Sequence, residues 1–314
     1  MSKPVQPKAV PRPVAVITGA AQEIGFLTAR RLAATHRVAL LDLQAEKLPE
    51  AAAACGADAI QFACDITRQD QVEAAVAAVV SQAGGIDVLV SNAGIAVGGS
   101  LRLIDPDAVA AQMNVNLTGN WRIIRACLPH VIERRGYVIG VASAAAIAPT
   151  PSLGAYCASK AALEMLLDVL YLEVAPLGVD VGVAYFTFTD TDMVRQADRY
   201  CPAFEYMRKN QPWPLNKLYR AEAAADAIVA AVRGRKRRAF SPGWALWVSR
   251  FRMLLRTKAA SRINLKLVPR VDELTAETVT QRGAFAAAMA PTPACDAAAT
   301  SIGRPGLQPK GDKG

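Results

Sequence analysis

The sequence predicts an α/β fold: a doubly wound parallel sheet forming a single domain, with a basic amphipathic C-terminal extension. Three observations carry that prediction. Short apolar runs alternate with longer stretches of helical character, most of the runs are continuously apolar rather than alternating, and the first is followed at once by a glycine-containing turn. Alternation of this kind implies right-handed βαβ units, and continuous apolarity implies a sheet covered on both faces.

Taken in chain order, residues 1–13 contain four prolines and no apolar run, and read as a disordered leader rather than a signal peptide. Residues 14–18, 38–42, 59–63, 88–91, 137–142 and 179–185 read as strands. Residues 24–34, 69–83, 108–133 and 155–174 read as the intervening helices, and a later helix at 221–232 and a strand at 238–241 complete the domain, 14–241. Residues 187–220 read as irregular but rich in aromatics. Residues 242–282 read as a basic helical extension, and 283–314, rich in Ala, Pro and Gly, as a disordered tail.

Composition excludes several classes. The six cysteines are scattered, with no CxxC pair, which suits free thiols in a reducing, cytoplasmic setting. Two isolated histidines make a zinc site an unsuitable reading, and no metal is expected. The net charge of +9 is local: twelve Lys/Arg and no Asp/Glu lie between Arg233 and Arg270, and the remainder has 24 basic against 27 acidic residues. The body of the protein therefore lacks the basic face of a nucleic-acid binder. Within the basic stretch, Trp244, Trp247, Val248, Phe251, Leu254 and Leu255 fall at helical spacing with Arg250, Arg252 and Arg256 between them. Such a helix suits an anionic membrane surface; the alternative is packing on the domain or on a second subunit.

Residues 18–25, Thr-Gly-Ala-Ala-Gln-Glu-Ile-Gly, join the first strand to the first helix. A turn of this kind presents backbone N–H groups and a helix N-terminus to an anion, as in a dinucleotide pyrophosphate cradle built here from Gly19, Gln22, Ile24 and Gly25. Asp42 ends the second strand, where a carboxylate can accept hydrogen bonds from a ribose 2′-hydroxyl and repel a 2′-phosphate, which favours NAD over NADP. The alternative is that Asp42 caps the next helix. Ser143 closes the fifth strand, Tyr156 follows thirteen residues later and Lys160 four after that. On a helix Tyr156 and Lys160 share a face, and an ammonium beside a phenol favours the phenolate. Such a Tyr can exchange a proton with a substrate oxygen, and Ser143 can hold the same oxygen.

These residues resemble the short-chain dehydrogenase/reductase family, with its Rossmann fold, over residues 14–241. The resemblance extends to Asn92-Ala93-Gly94 after the fourth strand, Asp65-Ile66 after the third, and Asn116 within the central helix. It implies a catalytic tetrad of Asn116, Ser143, Tyr156 and Lys160, and adenine-side contacts from Asp65, Ile66, Asn92, Ala93 and Gly94. Thr191 matches the threonine that contacts the nicotinamide carboxamide. Two departures stand out. Glu23 replaces the second glycine of the turn, and after the sixth strand, where the family usually has Pro-Gly, the chain reads Tyr185-Phe186-Thr187-Phe188. The expected activity is hydride transfer between NAD(H) and an alcohol or ketone. The aromatics of 187–220, with Met193 and Met207, suggest a lipid-, steroid- or terpenoid-like substrate. A homo-oligomer is expected. The competing expectation is a non-catalytic NAD-binding or membrane-associated regulatory protein on the same fold, for which Glu23 speaks.

Overall fold

The computed structural model describes residues 12–307. The leader read over 1–13 lies almost wholly outside the described residues, as does the end of the tail beyond 307. In chain order the strands are β1 (Val14–Thr18), β2 (Arg37–Asp42), β3 (Ile60–Ala63), β4 (Val88–Ser91), β5 (Tyr137–Val141), β6 (Asp180–Phe186), β7 (Thr189–Asp190), β8 (Tyr219–Arg220) and β9 (Arg238–Ser241). Seven form one parallel sheet in the order β3-β2-β1-β4-β5-β6-β9, and β7 pairs with β8 apart from it.

The helices are α1 (Glu23–Leu32), α2 (Leu48–Ala53), α3 (Gln69–Ala83), α4 (Pro106–Met113), α5 (Asn120–Glu133), α6 (Gly154–Val174), α7 (Asp192–Tyr200), α8 (Pro202–Lys209), α9 (Ala221–Gly234), α10 (Ala245–Arg250), α11 (Lys258–Arg282), α12 (Ala284–Ala288) and α13 (Pro293–Thr300). Alternate strand residues feed two cores. Ala15, Ile17, Leu40 and Ile139 pack with Leu32 and Ile228 under α1 and α9. Val16, Leu41, Leu89 and Val138 pack with Val76, Ile124 and Leu163 under α3, α5 and α6. Because both faces are covered, the central strands β1, β2, β4 and β5 have continuously apolar interiors, with Thr18, Asp42 and Ser91 at strand ends, and each buried Val, Leu or Ile contributes ~1.5–3 kcal/mol.

Strand order reverses between β1 and β4, and ligands of such sheets bind in the crevice beyond the strand ends at that point. The loops after β1, β2, β4, β5 and β6 all open there.

Three expectations are corrected. The stretch 187–220 is not irregular: it contains α7 and α8, and Leu153, Phe204, Met207 and Val271 form a small core of their own beneath them. Met207 is thus a packing residue rather than a cavity wall. The tail is not disordered over 283–307. Its alanines are small enough to lie flat on α4, and Ala288, Met289, Cys295 and Ala298 join the main core. Thr292 caps α13 and Arg304 pairs with Asp105 and Asp107. The central helix read over 108–133 is divided: residues Asn114–Gly119 form a wide π-type turn between α4 and α5.

Candidate active site

The turn after β1 is held by its neighbours. Asn92 donates from its side chain to the carbonyls of Thr18 and Gly19, and the Asn92 and Ala93 N–H groups donate to the Thr18 hydroxyl. Gly19 has φ +63°, and a Cβ on Gly25 would meet the Gly19 carbonyl oxygen at 1.9 Å. Both positions therefore need glycine. Asp42, buried at the end of β2, accepts from the N–H groups of Ala21 and Gln44 and so ties this turn to the second strand. It caps no helix: α2 begins six residues later.

A continuous cavity of about 560 Å³ runs from Asp42 and Asp65 at one end to Ser143 and Tyr156 at the other. Gly19, Gln22, Ile24, Gly25, Asp42, Asp65, Ile66, Asn92, Ala93, Gly94, Ser143, Tyr156, Lys160 and Thr191 all line it. Asn116 is the one tetrad candidate that does not. It stands behind the wall in the π-type turn, fully buried, exchanging hydrogen bonds with the Ile95 backbone and donating to the Ser159 hydroxyl.

At the inner end, Tyr156 and Lys160 lie on one face of α6, with the Lys160 Nζ 5.7 Å from the centre of the Tyr156 ring. Burial dominates both groups. It pushes the Tyr156 phenol up to about 12, with a hydrogen bond to Ser143 acting in the opposite direction. It brings the Lys160 ammonium down to about 8. Lys160 is 4% exposed, has no acidic partner among the described residues, and donates to the Val141 carbonyl at 2.8 Å. Ser143 accepts from the Ala145 N–H and donates to the Phe186 carbonyl. A phenol, a hydroxyl and a cation thus converge where a substrate oxygen would lie, an arrangement suited to proton exchange with that oxygen.

The model of the short chain dehydrogenase family matches residues 13–201. The chain belongs to the short-chain dehydrogenase family of oxidoreductases. It is 31% identical to the 2,3-dihydro-2,3-dihydroxybenzoate dehydrogenase of Bacillus subtilis over 238 residues, which cover 72% of this chain and 91% of that one. It is 35% identical over 150 residues to the 3-ketodihydrosphingosine reductase of Bacteroides thetaiotaomicron, covering 45% and 56% of the two chains. Among solved structures, the 3-ketoacyl-(acyl-carrier-protein) reductase of Brucella melitensis complexed with NADH superimposes with a TM-score of 0.63 at 28% identity, over 70% of this chain and 90% of that one.

Short-chain dehydrogenases use NAD(P), and this cavity fits such a dinucleotide: glycines where the backbone must come close, a carboxylate at one end and the phenol at the other. Glu23 does not stand free in the cradle. It keeps the left-handed backbone of the glycine it replaces, with φ +52°. Its carboxylate accepts from the Asp192 N–H at the start of α7 and pairs with Arg195 at 2.8 Å. Burial still raises its pKa above the usual carboxylate value, in spite of both partners.

Two contributors were missed in the sequence. Lys47, from the loop before α2, lines the cavity and donates to the Gln22 side chain at 2.8 Å, which brings a cation into the cavity that Asp42 also lines. Its separation from the turn by more than twenty residues concealed it. Residues 288–298 supply one wall of the cavity, including Pro291, Thr292 and Cys295. No local signal in an Ala/Pro-rich stretch could announce that role. Of the aromatics in 187–220, Tyr200 lines the cavity, Phe204 is core and Trp213 faces solvent.

Proposed function

We propose that this oxidoreductase interconverts a secondary alcohol and a ketone on an apolar substrate, with NAD(H) preferred over NADP(H). The observation that carries the reading is the convergence of Tyr156, Ser143 and Lys160 in the wall of the cofactor cavity. A bound nicotinamide would accept or supply the hydride. The chain's own residues handle the proton. Ser143 and Tyr156 hydrogen-bond the substrate oxygen, Tyr156 gives up or receives its proton, and the Lys160 charge lowers the cost of the phenolate. Asn116 holds the Ile95 segment and Ser159 in place behind Lys160. Asp42 would receive the adenosine ribose hydroxyls, and its charge opposes a 2′-phosphate. Thr191 and the Asn92–Gly94 backbone would border the nicotinamide and adenine ends.

The apolar substrate class is supported by the walls beyond Tyr156, where Phe186, Met193, Val194, Ala197 and Tyr200 gather. The 3-ketodihydrosphingosine in the name of the Bacteroides relative is in keeping with this class. The six cysteines are all free thiols, which suits work in a reducing compartment such as the cytoplasm. The non-catalytic alternative draws on Glu23 alone, and that side chain is directed to Arg195. The test is turnover of a panel of apolar secondary alcohols and ketones, followed through nicotinamide absorbance. Binding of NADH without turnover of any member would overturn the reading.

A further inference from the structure

The basic stretch divides into two faces. Trp244 donates to the Tyr219 hydroxyl, Val248 and Leu255 pack on the core, and Arg252 pairs with the buried Glu164. Arg235, Arg237 and Arg238 are likewise consumed by Asp180 and Asp168. Four of the twelve cations of this stretch therefore serve the fold, and Arg270 pairs with Glu273 on its own helix.

Five others have no such use. Arg250, Arg256, Lys258, Arg262 and Lys266 have no acidic partner among the described residues, and all five are exposed. The same segment exposes large apolar groups: Trp247 is 62% exposed, Phe251 58%, Met253 70% and Leu265 61%. Beside it the 211–218 loop holds out Trp213, 81% exposed, and is pinned to α11 by a hydrogen bond from Gln211 to Asn264. Nine of the fifteen large apolar residues that the described chain exposes lie between Trp213 and Leu265. A surface that only met water would not gather tryptophans and unpaired cations without a single acid. No described helix is long and apolar enough to cross a membrane, so the segment has the character of an interfacial element.

We infer that the face formed by residues 247–266 and the 211–218 loop docks on an anionic lipid bilayer. Cations meet the headgroup charge while Trp213, Trp247 and Phe251 enter the interfacial layer. The docking face adjoins the active site: Asn264 donates to the Pro149 carbonyl and Arg252 to that of Ala146, both in the loop that joins Ser143 to Tyr156. A substrate dissolved in the bilayer would thus leave it next to the catalytic loop. The inference stands on surface chemistry and does not depend on the hydride-transfer reading.

The test is co-sedimentation of the full chain with vesicles of phosphatidylcholine, with and without phosphatidylglycerol, at low and high salt. Binding only to the anionic vesicles, weakened by salt, is expected. So is a loss of at least about tenfold in affinity both in Trp247→Ser/Phe251→Ser and in Arg256→Gln/Lys258→Gln/Arg262→Gln. Unchanged thermal unfolding and unchanged turnover of a water-soluble substrate exclude misfolding, since all five positions are exposed. Absence of binding to either vesicle overturns the inference. So does a dimer in light scattering that the apolar variant makes monomeric, which would assign the face to a second copy of the chain.

Discussion

The Glu23 carboxylate lies 2.8 Å from the Arg195 guanidinium, so the turn before α1 and the start of α7 are joined at the mouth of the cofactor groove. Two costs are built into this contact. A non-glycine residue holds a left-handed backbone, worth roughly 1–2 kcal/mol, and a half-buried carboxylate stands beside the place a pyrophosphate would occupy. The ion pair offsets little of this, because Arg195 is more than half exposed.

Glu23→Gly is therefore expected to tighten NADH binding by about three- to tenfold, through relief of strain and charge together. Calorimetry at neutral pH is the measurement. Because the Glu23 pKa is raised, protonation reaches it at higher pH than an ordinary glutamate, and affinity in the parent protein should rise as pH falls from neutral toward that group's pKa. The variant should lack this slope. Weaker binding in Glu23→Gly would show that the link to α7 is needed to form the groove.

Tyr156→Phe should lower kcat by about 10²–10⁴-fold and leave the NADH dissociation constant within about twofold, since only the proton-exchanging hydroxyl is lost. Steady-state kinetics beside fluorescence titration separates the two quantities. A variant that turned over at near the parent rate would remove Tyr156 from the chemistry.

On the proposed function, cofactor choice would rest on two opposed charges. Asp42 would disfavour a 2′-phosphate, and Lys47, reaching Gln22, would favour one. The parent protein should show a higher kcat/KM with NAD. Asp42→Ser should narrow the ratio by about tenfold or more, and adding Lys47→Ala should restore much of it. A parent preference for NADP would show that Lys47 outweighs the carboxylate.

Lys160 couples stability to pH. Its pKa falls from 10.5 in the unfolded chain to about 8 in the fold, so above pH 8 the unfolded state binds more protons. Stability from this group must rise with pH between about 8 and 10.5, by on the order of 3 kcal/mol at most. Buried thiols act in the reverse sense, so the comparison that isolates the effect is with Lys160→Met. The difference between the two unfolding free energies should change across that window and be flat below it.

The sheet was legible because its central strands are buried on both faces and hence continuously apolar in their interiors; α3 and β9 fall where the periodicity puts them. Tyr156 and Lys160 were legible because a helix converts a spacing of four into a shared face. The environments made by distant contacts were not legible. Asn116 could be given a role only by resemblance, because its partners Ile95 and Ser159 lie 21 and 43 residues away. The tail looked too poor in apolar bulk to order. Its alanines are ordered by what α4 and the loop after β4 offer them, with Val97 bridging to Met289 and the Gly98 N–H donating to the Ala288 carbonyl.

That bridge also sets an order of assembly. All seven strands of the main sheet have been synthesised by Ser241, whereas the cavity wall at 288–298 is made some fifty residues later and docks on a loop nearly two hundred residues upstream. A nascent chain can therefore complete its sheet while the groove still has one open side. Contacts of such long sequence separation form late, because loop closure is costly. Until the wall closes, Val97 and the face of α4 that α12 and α13 pack on lack part of their cover, and the half-made protein presents that apolar strip to whatever surrounds it during synthesis.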